Sequence, residues 1–212
     1  MNRYRQYIPY ATVTILAINV IVFLICTFTG DLLYSIGNIS PFSFLKQGRY
    51  YQIITAMFLH ADVEHIANNM LLLFGLGYLM EETLGHFWFP TLYITTGLIG
   101  NIASLWYKVR MKEWFVYSLG ASGAVFGMEG VLLAYALFAP GKIRSASWER
   151  ILIVLGFSVY AGIRSNTRID NAAHIGGLVS GFFLGALVSM IQQNREDKKR
   201  RDMAGRYGSR VV

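Results

Sequence analysis

The sequence is short of charged residues and of cysteine, and both shortages limit what the protein can be. Only 15% of the 212 residues are charged, against roughly 25% in soluble domains, whereas 54% are hydrophobic. The single cysteine, Cys26, lies within an apolar segment and excludes an intrachain disulfide. Repeats of solenoid type and low-complexity stretches are also missing. This composition predicts one integral membrane domain rather than a soluble protein.

The basic residues are unevenly distributed along the chain. A net charge of +7 would suggest a nucleic-acid partner in a soluble protein. Here, however, lysine and arginine lie near the ends and in short loops, which is the pattern that orients a membrane protein. We therefore expect a lipid bilayer around the chain and no nucleic-acid partner.

Six apolar segments follow one another and predict six transmembrane helices. About 20 apolar residues cross a bilayer, with a range near 17–25. The second and fifth segments are the shortest and contain glycine, so their ends are the least defined. The segments are 10–29, 65–80, 87–107, 122–139, 148–163 and 172–191.

The chain divides into a basic N-terminus over 1–9, a six-span domain over 10–192 and a basic tail over 193–212. The first loop, 30–64, is long and rich in aromatic residues, so we expect short helices lying in the membrane interface. The tail is highly charged and is expected to be disordered. Its lysine and arginine residues place both termini on the cytoplasmic face.

Four polar residues fall at one end of the predicted bundle. Ser122 opens the fourth segment, His174 opens the sixth, and His65 and Asn69 begin the second. In any alternating six-span topology these three segments enter the membrane from the same side. Serine becomes a nucleophile when a base takes its proton, and histidine is the usual base. His65 and Asn69 share a helix face and, with the unpaired Ser122 N–H, could donate to a developing oxyanion.

Small residues on the fourth and sixth segments predict that these two helices pack closely. Gly123 and Gly127 follow the serine, and Gly177 and Gly181 follow the histidine, with the same spacing of four. Such spacing lets helix backbones approach each other, as a Ser–His hydrogen bond of about 2.6–3.2 Å requires. Taken alone, Ser122 would be interpreted as a helix N-cap; the glycines and the histidine favour a nucleophile.

Three motifs resemble those of the rhomboid intramembrane serine proteases: HADVEHIANN at the second segment, GASG at the fourth and AHIGGLVSG at the sixth. The resemblance covers about residues 10–192. It implies an all-α six-span bundle that cleaves the transmembrane segments of other proteins without a cofactor. It assigns Ser122 as the nucleophile and His174 as the base, with His65, Asn69 and the Ser122 N–H forming the oxyanion hole.

The resemblance also covers structural positions, with two departures. Glu81 and Gly85 in EETLG match a structural E-x-x-x-G motif. The aromatic–arginine pair common in the family's first loop is here Tyr51–Gln52, which removes the usual anchoring arginine. Phe126 stands where many bacterial members carry tyrosine; it can pack against the imidazole but offers no hydroxyl.

Three further polar residues have more than one interpretation. His60 is expected to be structural rather than catalytic. Asp170, four residues before His174, is either the cap of the sixth segment or a third catalytic residue. Glu129 lies seven residues after Ser122, on the same helix face and about 10 Å deeper. It is either a hydrogen-bonded carboxyl facing the second or sixth segment, or a group that anchors water below the dyad.

The sequence therefore predicts a serine endopeptidase, a hydrolase acting on transmembrane protein substrates. No metal is expected, because the metalloprotease pattern H-E-x-x-H is absent. One alternative is an inactive rhomboid-like protein that binds membrane clients. Another is a transporter, which would need more mid-membrane polar residues than Asn19, Asn101 and Glu129. We expect a bacterial plasma membrane, an active site toward the outer face, and a lateral gate between the second and fifth segments.

Overall fold

A computed structural model describes residues 7–143, 153, 156, 158 and 170–208. Throughout these residues the regular structure is helical, apart from one isolated antiparallel bridge between Ile39 and Ser118. The prediction of an all-α fold is therefore confirmed. Most of the predicted fifth segment, which forms one wall of the predicted lateral gate, lies outside the described residues.

Six α-helices and three short turns of helix make up the described part of the chain. The α-helices are α1 (Tyr10–Thr29), α2 (Leu32–Gly37), α3 (Gln52–Thr55), α4 (Val63–Arg110), α5 (Ser122–Phe138) and α6 (Asn171–Gly208). A π-helical turn covers Phe42–Lys46, and 3-10 turns cover Ala56–Phe58 and Pro140–Lys142.

The long helix α4 contains the second and third predicted segments. Gly85 divides it, because its backbone has a φ of 85° and a ψ of 166°. A side chain strains the backbone in that region, so glycine suits the position. The helix begins after Asp62, whose carboxylate accepts the His65 N–H at 2.7 Å. This cap fixes where the first residues of α4 lie relative to the first loop.

Two helices of the described part are long and apolar enough to cross a membrane: α1, and residues 171–204 of α6. The apolar helix α5 is shorter, at 17 residues. Large apolar side chains stay exposed on the outer helices, among them Phe28 and Phe183. Such exposure suits helices surrounded by lipid, where apolar side chains carry no penalty.

Helix α5 lies inside the bundle, between α4 and α6. Twelve of its 17 residues are buried, including Met128 and Tyr135, which are fully enclosed. They pack with residues of α4 such as Phe89 and Tyr93 in one apolar core. The nucleophile candidate therefore opens the most enclosed of the long helices.

Facing glycines bring α5 and α6 close together. A methyl group at Gly177 would overlap the Gly123 carbonyl oxygen, and one at Gly181 would overlap that of Gly127. Since no larger residue fits at either position, the two backbones are in direct contact. This contact places the first turn of α6 beside the first turn of α5.

Helix α6 continues through Gly208, whereas the sequence analysis expected disorder beyond residue 192. Contacts with the end of α5 and its following turn support the first part of this extension. Lys142 Nζ donates to Glu196 at 2.5 Å, and Gln193 donates to the Phe138 carbonyl at 2.9 Å. Further along, Glu196 and Arg200 form a favourable pair four residues apart. Charge alone therefore did not indicate whether this segment is helical.

The first loop is folded against the end of the bundle. Gln52 is fully buried and donates to the Ile36 carbonyl at 2.8 Å, so it supplies an internal anchor although it is not the arginine usual in the family. Asn101 of α4 donates to the Ile53 carbonyl at 2.8 Å. These two bonds hold α3 both to the start of the loop and to the helix beneath it.

Candidate active site

Ser122 and His174 meet where α5 and α6 begin. His174 Nε2 lies 2.7 Å from Ser122 Oγ, which is hydrogen-bond distance. The N-cap of α5 is Ala121, and no side chain caps that helix. The Ser122 hydroxyl is therefore paired with an imidazole rather than used as a cap. With the serine O–H donating to Nε2, the pair has the arrangement that general-base catalysis needs.

Phe126 fixes the orientation of the His174 imidazole. It lies one turn after Ser122, and its ring stacks on that of His174 with centroids 4.2 Å apart and an angle of 9° between planes. The stack restricts rotation of the imidazole, so Nε2 stays directed at Ser122. Phenylalanine supplies this packing without the hydroxyl of a tyrosine.

The His65 ring packs against the backbone of Gly120, two residues before Ser122. A methyl group added to Gly120 would lie 2.9 Å from His65 Nε2 and 3.8 Å from Ser122 Oγ. Gly120 also has a φ of 123°, a conformation that strains residues with a side chain. Glycine at this position therefore lets the His65 ring lie against the backbone just before Ser122, because a side chain here would collide with that ring.

Asn69 lies one turn further along α4 and is buried. Its Nδ2 donates to the His65 carbonyl at 3.0 Å, which uses one of the two amide hydrogens. The second hydrogen is available to another acceptor. The Ser122 N–H lies in the first turn of α5, where helix N–H groups have no partner within the helix. The active-site end therefore carries several donors of the kind that stabilise an oxyanion.

The Asp170 carboxylate makes its hydrogen bonds to groups other than the His174 ring. One oxygen accepts the Ala173 N–H at 3.1 Å and caps α6, while the other accepts from Ser104, from Ser118 and, at 3.1 Å, from Lys108 Nζ. Burial raises the pKa of the Asp170 carboxyl, but Lys108 and these hydrogen bonds outweigh it and hold that pKa below its usual range. Asp170 therefore acts as a helix cap and as a partner in a buried ion pair.

This buried polar cluster (Ser104, Lys108, Ser118 and Asp170) joins the two segments that lead into the dyad. Ser118 precedes Ser122 by four residues, and Asp170 precedes His174 by four. The sequence analysis missed the cluster, because it counted Lys108 only as a loop charge. The signal for this cluster in the sequence was Lys108, which directly follows the third apolar segment, four residues after Ser104.

Glu129 is buried and accepts a hydrogen bond from the Ser158 hydroxyl. Of the two interpretations of Glu129, the water-anchoring alternative stays a prediction. The hydrogen-bonded carboxyl was expected to face the second or sixth segment, whereas Ser158 belongs to the fifth. The reason is helical geometry: Gly130, the next residue, faces α6 so closely that a methyl group there would overlap the Leu178 carbonyl. Successive residues lie about 100° apart around a helix, so Glu129 is turned away from α6.

His60 lies behind His65 in the first loop. Its side chain is fully buried, and the two imidazoles meet edge to face with centroids 5.1 Å apart. Burial, together with the neighbouring His65, lowers the pKa of His60 to about 3. A ring that stays neutral at physiological pH and touches His65 supports that residue by packing.

Glu81 and Gly85 lie on α4 near its division, at the opposite end of the bundle from the dyad. The Glu81 carboxylate accepts the Ala11 and Thr12 N–H groups at 2.9 and 2.7 Å and the Thr12 hydroxyl at 2.7 Å. It also pairs with His86 at 2.6 Å. These bonds join α1 to α4 and give Glu81 a structural place in the fold.

Metal-ligating side chains are not gathered at the site. Among residues 7–143 and 170–204, no three histidine, cysteine, aspartate or glutamate side chains are placed to hold a metal ion. The side chain that the structure places within hydrogen-bond distance of Ser122 Oγ is the His174 imidazole.

Comparisons with known proteins place this chain among related sequences. Residues 47–191, more than half of the chain, match the family model described as Rhomboid domain. The chain is 31% identical over 174 residues to Rhomboid protease GluP of Bacillus subtilis (strain 168), covering 80% of this chain. It is 32% identical over 151 residues to YdcA of the same organism, covering 71% of this chain. It is 31% identical over 153 residues to RHOMBOID-like protein 5 of Arabidopsis thaliana, covering 70% of this chain.

The matched regions are unequal parts of these relatives. They cover 30% of GluP and 47% of RHOMBOID-like protein 5, but 73% of YdcA. The chain thus spans less than half the length of two of the three.

Proposed function

The chain belongs to the rhomboid family, and on that premise we propose that it is an intramembrane serine endopeptidase. Membership makes it an integral, multi-pass membrane protein. Its proposed substrates are transmembrane segments of other membrane proteins. The observation that carries the proposal is the 2.7 Å approach of His174 Nε2 to Ser122 Oγ at the starts of two closely packed helices.

The first step is acylation of Ser122. The Oγ attacks the carbonyl carbon of the scissile peptide, and its proton passes to His174 Nε2. The tetrahedral intermediate then collapses as the same nitrogen returns that proton to the leaving amine. The product of this step is an ester between Ser122 and the N-terminal part of the substrate, with the C-terminal part released.

We place the developing oxyanion beside Gly120, between Ser122 and His65. We assign its stabilisation to the Ser122 N–H, to His65 and to the remaining amide hydrogen of Asn69. Donors aimed at such an oxygen in an enclosed site lower the barrier strongly. The buried position of Asn69 supports this assignment, because few other acceptors compete for its hydrogen.

Deacylation repeats the same proton transfers with water. His174 takes a proton from a water molecule as the water oxygen attacks the ester, and it then protonates Ser122 Oγ. The carboxylate product leaves and the free enzyme is restored. The residues described at the site are sufficient for each of these proton transfers.

The placement of the chain in its membrane extends the proposal. The division into 1–9, 10–192 and 193–212, six spans, two cytoplasmic termini and an active site toward the outer face of a bacterial plasma membrane remain predictions. Substrate would enter between the second and fifth segments. Protease digestion of sealed, oriented vesicles carrying tags at each end tests the orientation directly.

The activity is tested by cleavage of a model transmembrane substrate with purified protein. Wild type, Ser122→Ala and His174→Ala are compared, with Ser189→Ala as the matched control, since Ser189 is a buried serine of α6 bonded to the Ala186 carbonyl. We expect the two dyad variants to lose cleavage by at least about 10³-fold while the control keeps it. A fluorophosphonate probe should label wild type but not Ser122→Ala.

Two outcomes would overturn the proposal. Cleavage by Ser122→Ala at the wild-type rate would show that another residue, or a contaminant, does the chemistry. If folded wild type neither cleaves nor reacts with the probe, the chain is an inactive member. Retained binding of the substrate would then identify a protein that binds membrane clients.

A further inference from the structure

A polar cavity lies between the first loop and the segment that follows α4. It has a volume of about 350 Å³ and opens at the same end of the bundle as Ser122. The bridge between Ile39 and Ser118 ties its two walls together. The cavity is separate from the proposed active site, since none of Ser122, His174, His65 and Asn69 lines it.

The walls of this cavity are mainly hydroxyls and amides, with one cation. Gln52, Asn38 and the buried serines Ser40 and Ser43 face it together with Arg49. Aspartate and glutamate are absent from its lining, so its formal charge is positive. A site of this composition favours a ligand that is both anionic and hydrogen-bonding.

Two buried acceptors in this lining lack a donor. Gln52 is fully buried, and its Nε2 is used by the Ile36 carbonyl, which leaves Oε1 without a partner in the described structure. The Oδ1 atom of Asn38 is likewise buried and unpaired there. A buried acceptor without a donor is costly. Both residues line the cavity, so a ligand that brings O–H or N–H donors would satisfy these oxygens once the amide side chains turn toward it.

Arg49 supplies the complementary charge. It is half-buried, and one of its five N–H groups makes a long hydrogen bond of 3.4 Å to the Ser35 carbonyl. The flat guanidinium matches the geometry of phosphate oxygens. When a phosphate pairs with Arg49, the group esterified to that phosphate lies in the same cavity as Gln52 and Asn38. Hydroxyls on that group are then close to these two side chains.

The surroundings are those of a membrane–water interface. Exposed aromatic side chains, including Tyr50, Phe115 and Tyr117, ring the cavity, and Lys46 lies 5.7 Å from the Trp114 ring centre. Aromatic residues collect at the level of lipid head groups, and basic residues there attract anionic lipids. These neighbours favour a lipid head group over a soluble metabolite as the occupant.

We propose that this cavity binds the head group of an anionic phospholipid that carries free hydroxyls, such as the phosphoglycerol of phosphatidylglycerol. The phosphate pairs with Arg49; the amide side chains of Gln52 and Asn38 turn toward the cavity, and the glycerol hydroxyls donate to Gln52 Oε1 and Asn38 Oδ1. The proposal rests on the membrane placement of the chain and does not require that it be a protease.

Binding at this cavity should stabilise the segment before Ser122. Thr55 donates to the Gly37 carbonyl at 2.9 Å, and the neighbouring Ala56 carbonyl accepts the Gly120 N–H at 2.8 Å. A ligand that joins Asn38, Arg49 and Gln52 therefore holds the loop to which Gly120 is bonded. The expected result is a higher unfolding temperature.

The test uses the purified full chain in lipid-free detergent, titrated with one lipid at a time. Phosphatidylglycerol, phosphatidic acid, phosphatidylcholine and free glycerol 3-phosphate are compared by native mass spectrometry and thermal unfolding. We expect phosphatidylglycerol to bind at least about fivefold more tightly than phosphatidic acid, which lacks the hydroxyls. Phosphatidylcholine and free glycerol 3-phosphate should be weaker still.

Variants separate the cavity from general surface charge. Arg49→Gln should weaken phosphatidylglycerol binding at least fivefold, whereas Lys46→Gln removes the same charge from outside the lining and should change it little. Asn38→Ala and Gln52→Met should reduce the preference over phosphatidic acid. If Gln52→Met does not fold, Asn38→Ala decides that point.

Three results would overturn the proposal. Equal binding of phosphatidylglycerol and phosphatidylcholine would show that the negative charge of the lipid does not contribute to binding. Equal losses in Arg49→Gln and Lys46→Gln would assign the effect to the basic surface as a whole. Competition by glycerol 3-phosphate at the concentration of the lipid would make the ligand a soluble phosphate ester instead.

Discussion

The two ends of the bundle use their polar side chains in opposite ways. At the Glu81 end, one carboxylate accepts three hydrogen bonds from Ala11 and Thr12 and pairs with His86, so its oxygens are fully used. At the dyad end, Asn69 keeps an amide hydrogen unused, and His65 Nδ1 is buried without a partner in the described structure. The first arrangement joins helices, and the second leaves hydrogen-bonding capacity for another molecule.

This difference teaches how a site of chemistry can be told from a site of packing. Both ends contain buried polar residues and glycine, so residue type alone does not separate them. They differ in the hydrogen-bonding capacity left over after folding. The comparison predicts that variants at one end change stability and that variants at the other change rate.

The largest effect is expected from Glu81→Ala. Removing a buried carboxylate with this many partners leaves two backbone N–H groups and a hydroxyl unpaired, which costs about 3–5 kcal/mol of unfolding free energy. Thermal unfolding in detergent measures the loss. The fraction that stays folded, quantified with an active-site probe, should cleave at the wild-type rate. A normal unfolding temperature would contradict the structural role of Glu81.

The matched change at the dyad end is Asn69→Ala. Loss of one oxyanion donor should lower kcat by about 10²–10³. The unfolding temperature should change far less than in Glu81→Ala, because Asn69 makes one hydrogen bond, within its own helix. Steady-state cleavage and thermal unfolding on the same preparation test both parts. If stability fell while kcat stayed unchanged, the role of Asn69 would be structural rather than catalytic.

Asp170→Asn tests the buried polar cluster, where we expect a single change to lower both the stability and the rate. The variant keeps an oxygen to cap α6 but leaves Lys108 buried without its counter-charge, so stability should fall by about 1–3 kcal/mol. Cleavage should fall about tenfold, since Ser118 and Asp170 position the segments before the dyad. The double variant Lys108→Met with Asp170→Asn should recover part of the stability. Failure to recover any would show that the ion pair is not the cause.

A dependence of stability on pH is expected from His60. Its folded-state pKa of about 3 lies below the ordinary 6.5, so the unfolded chain binds a proton that the folded chain does not. Stability is therefore fully present above pH 6.5 and is lost as pH falls from 6.5 toward 3, by up to about 1.4 kcal/mol per pH unit. Unfolding temperatures at pH 7.5, 6.0 and 5.0 should fall less steeply in His60→Gln. Parallel slopes would assign the pH dependence to other groups.

Much of the fold was predictable from sequence, and the reasons are local. Apolar segments and the spacing of glycines after Ser122 and His174 depend only on neighbouring residues, and the all-α membrane fold is confirmed. The pairing of Lys108 with Asp170 was not predictable, because it depends on how loops meet across 62 residues of sequence. The contact between Glu129 and Ser158 was not predictable either. Helical periodicity indicates which side of α5 carries Glu129, but it does not indicate which helix packs against that side.

The continuous helix from Asn171 to Gly208 has a mechanical consequence. At about 1.5 Å per residue, the 35 residues from His174 to Gly208 form a rod roughly 50 Å long, with the candidate base near one tip. A tilt of that rod is magnified at the far tip. A spin label at the exposed Met203 therefore works as the end of a lever, through which angular motion of the imidazole-bearing turn can be measured without altering any residue near it.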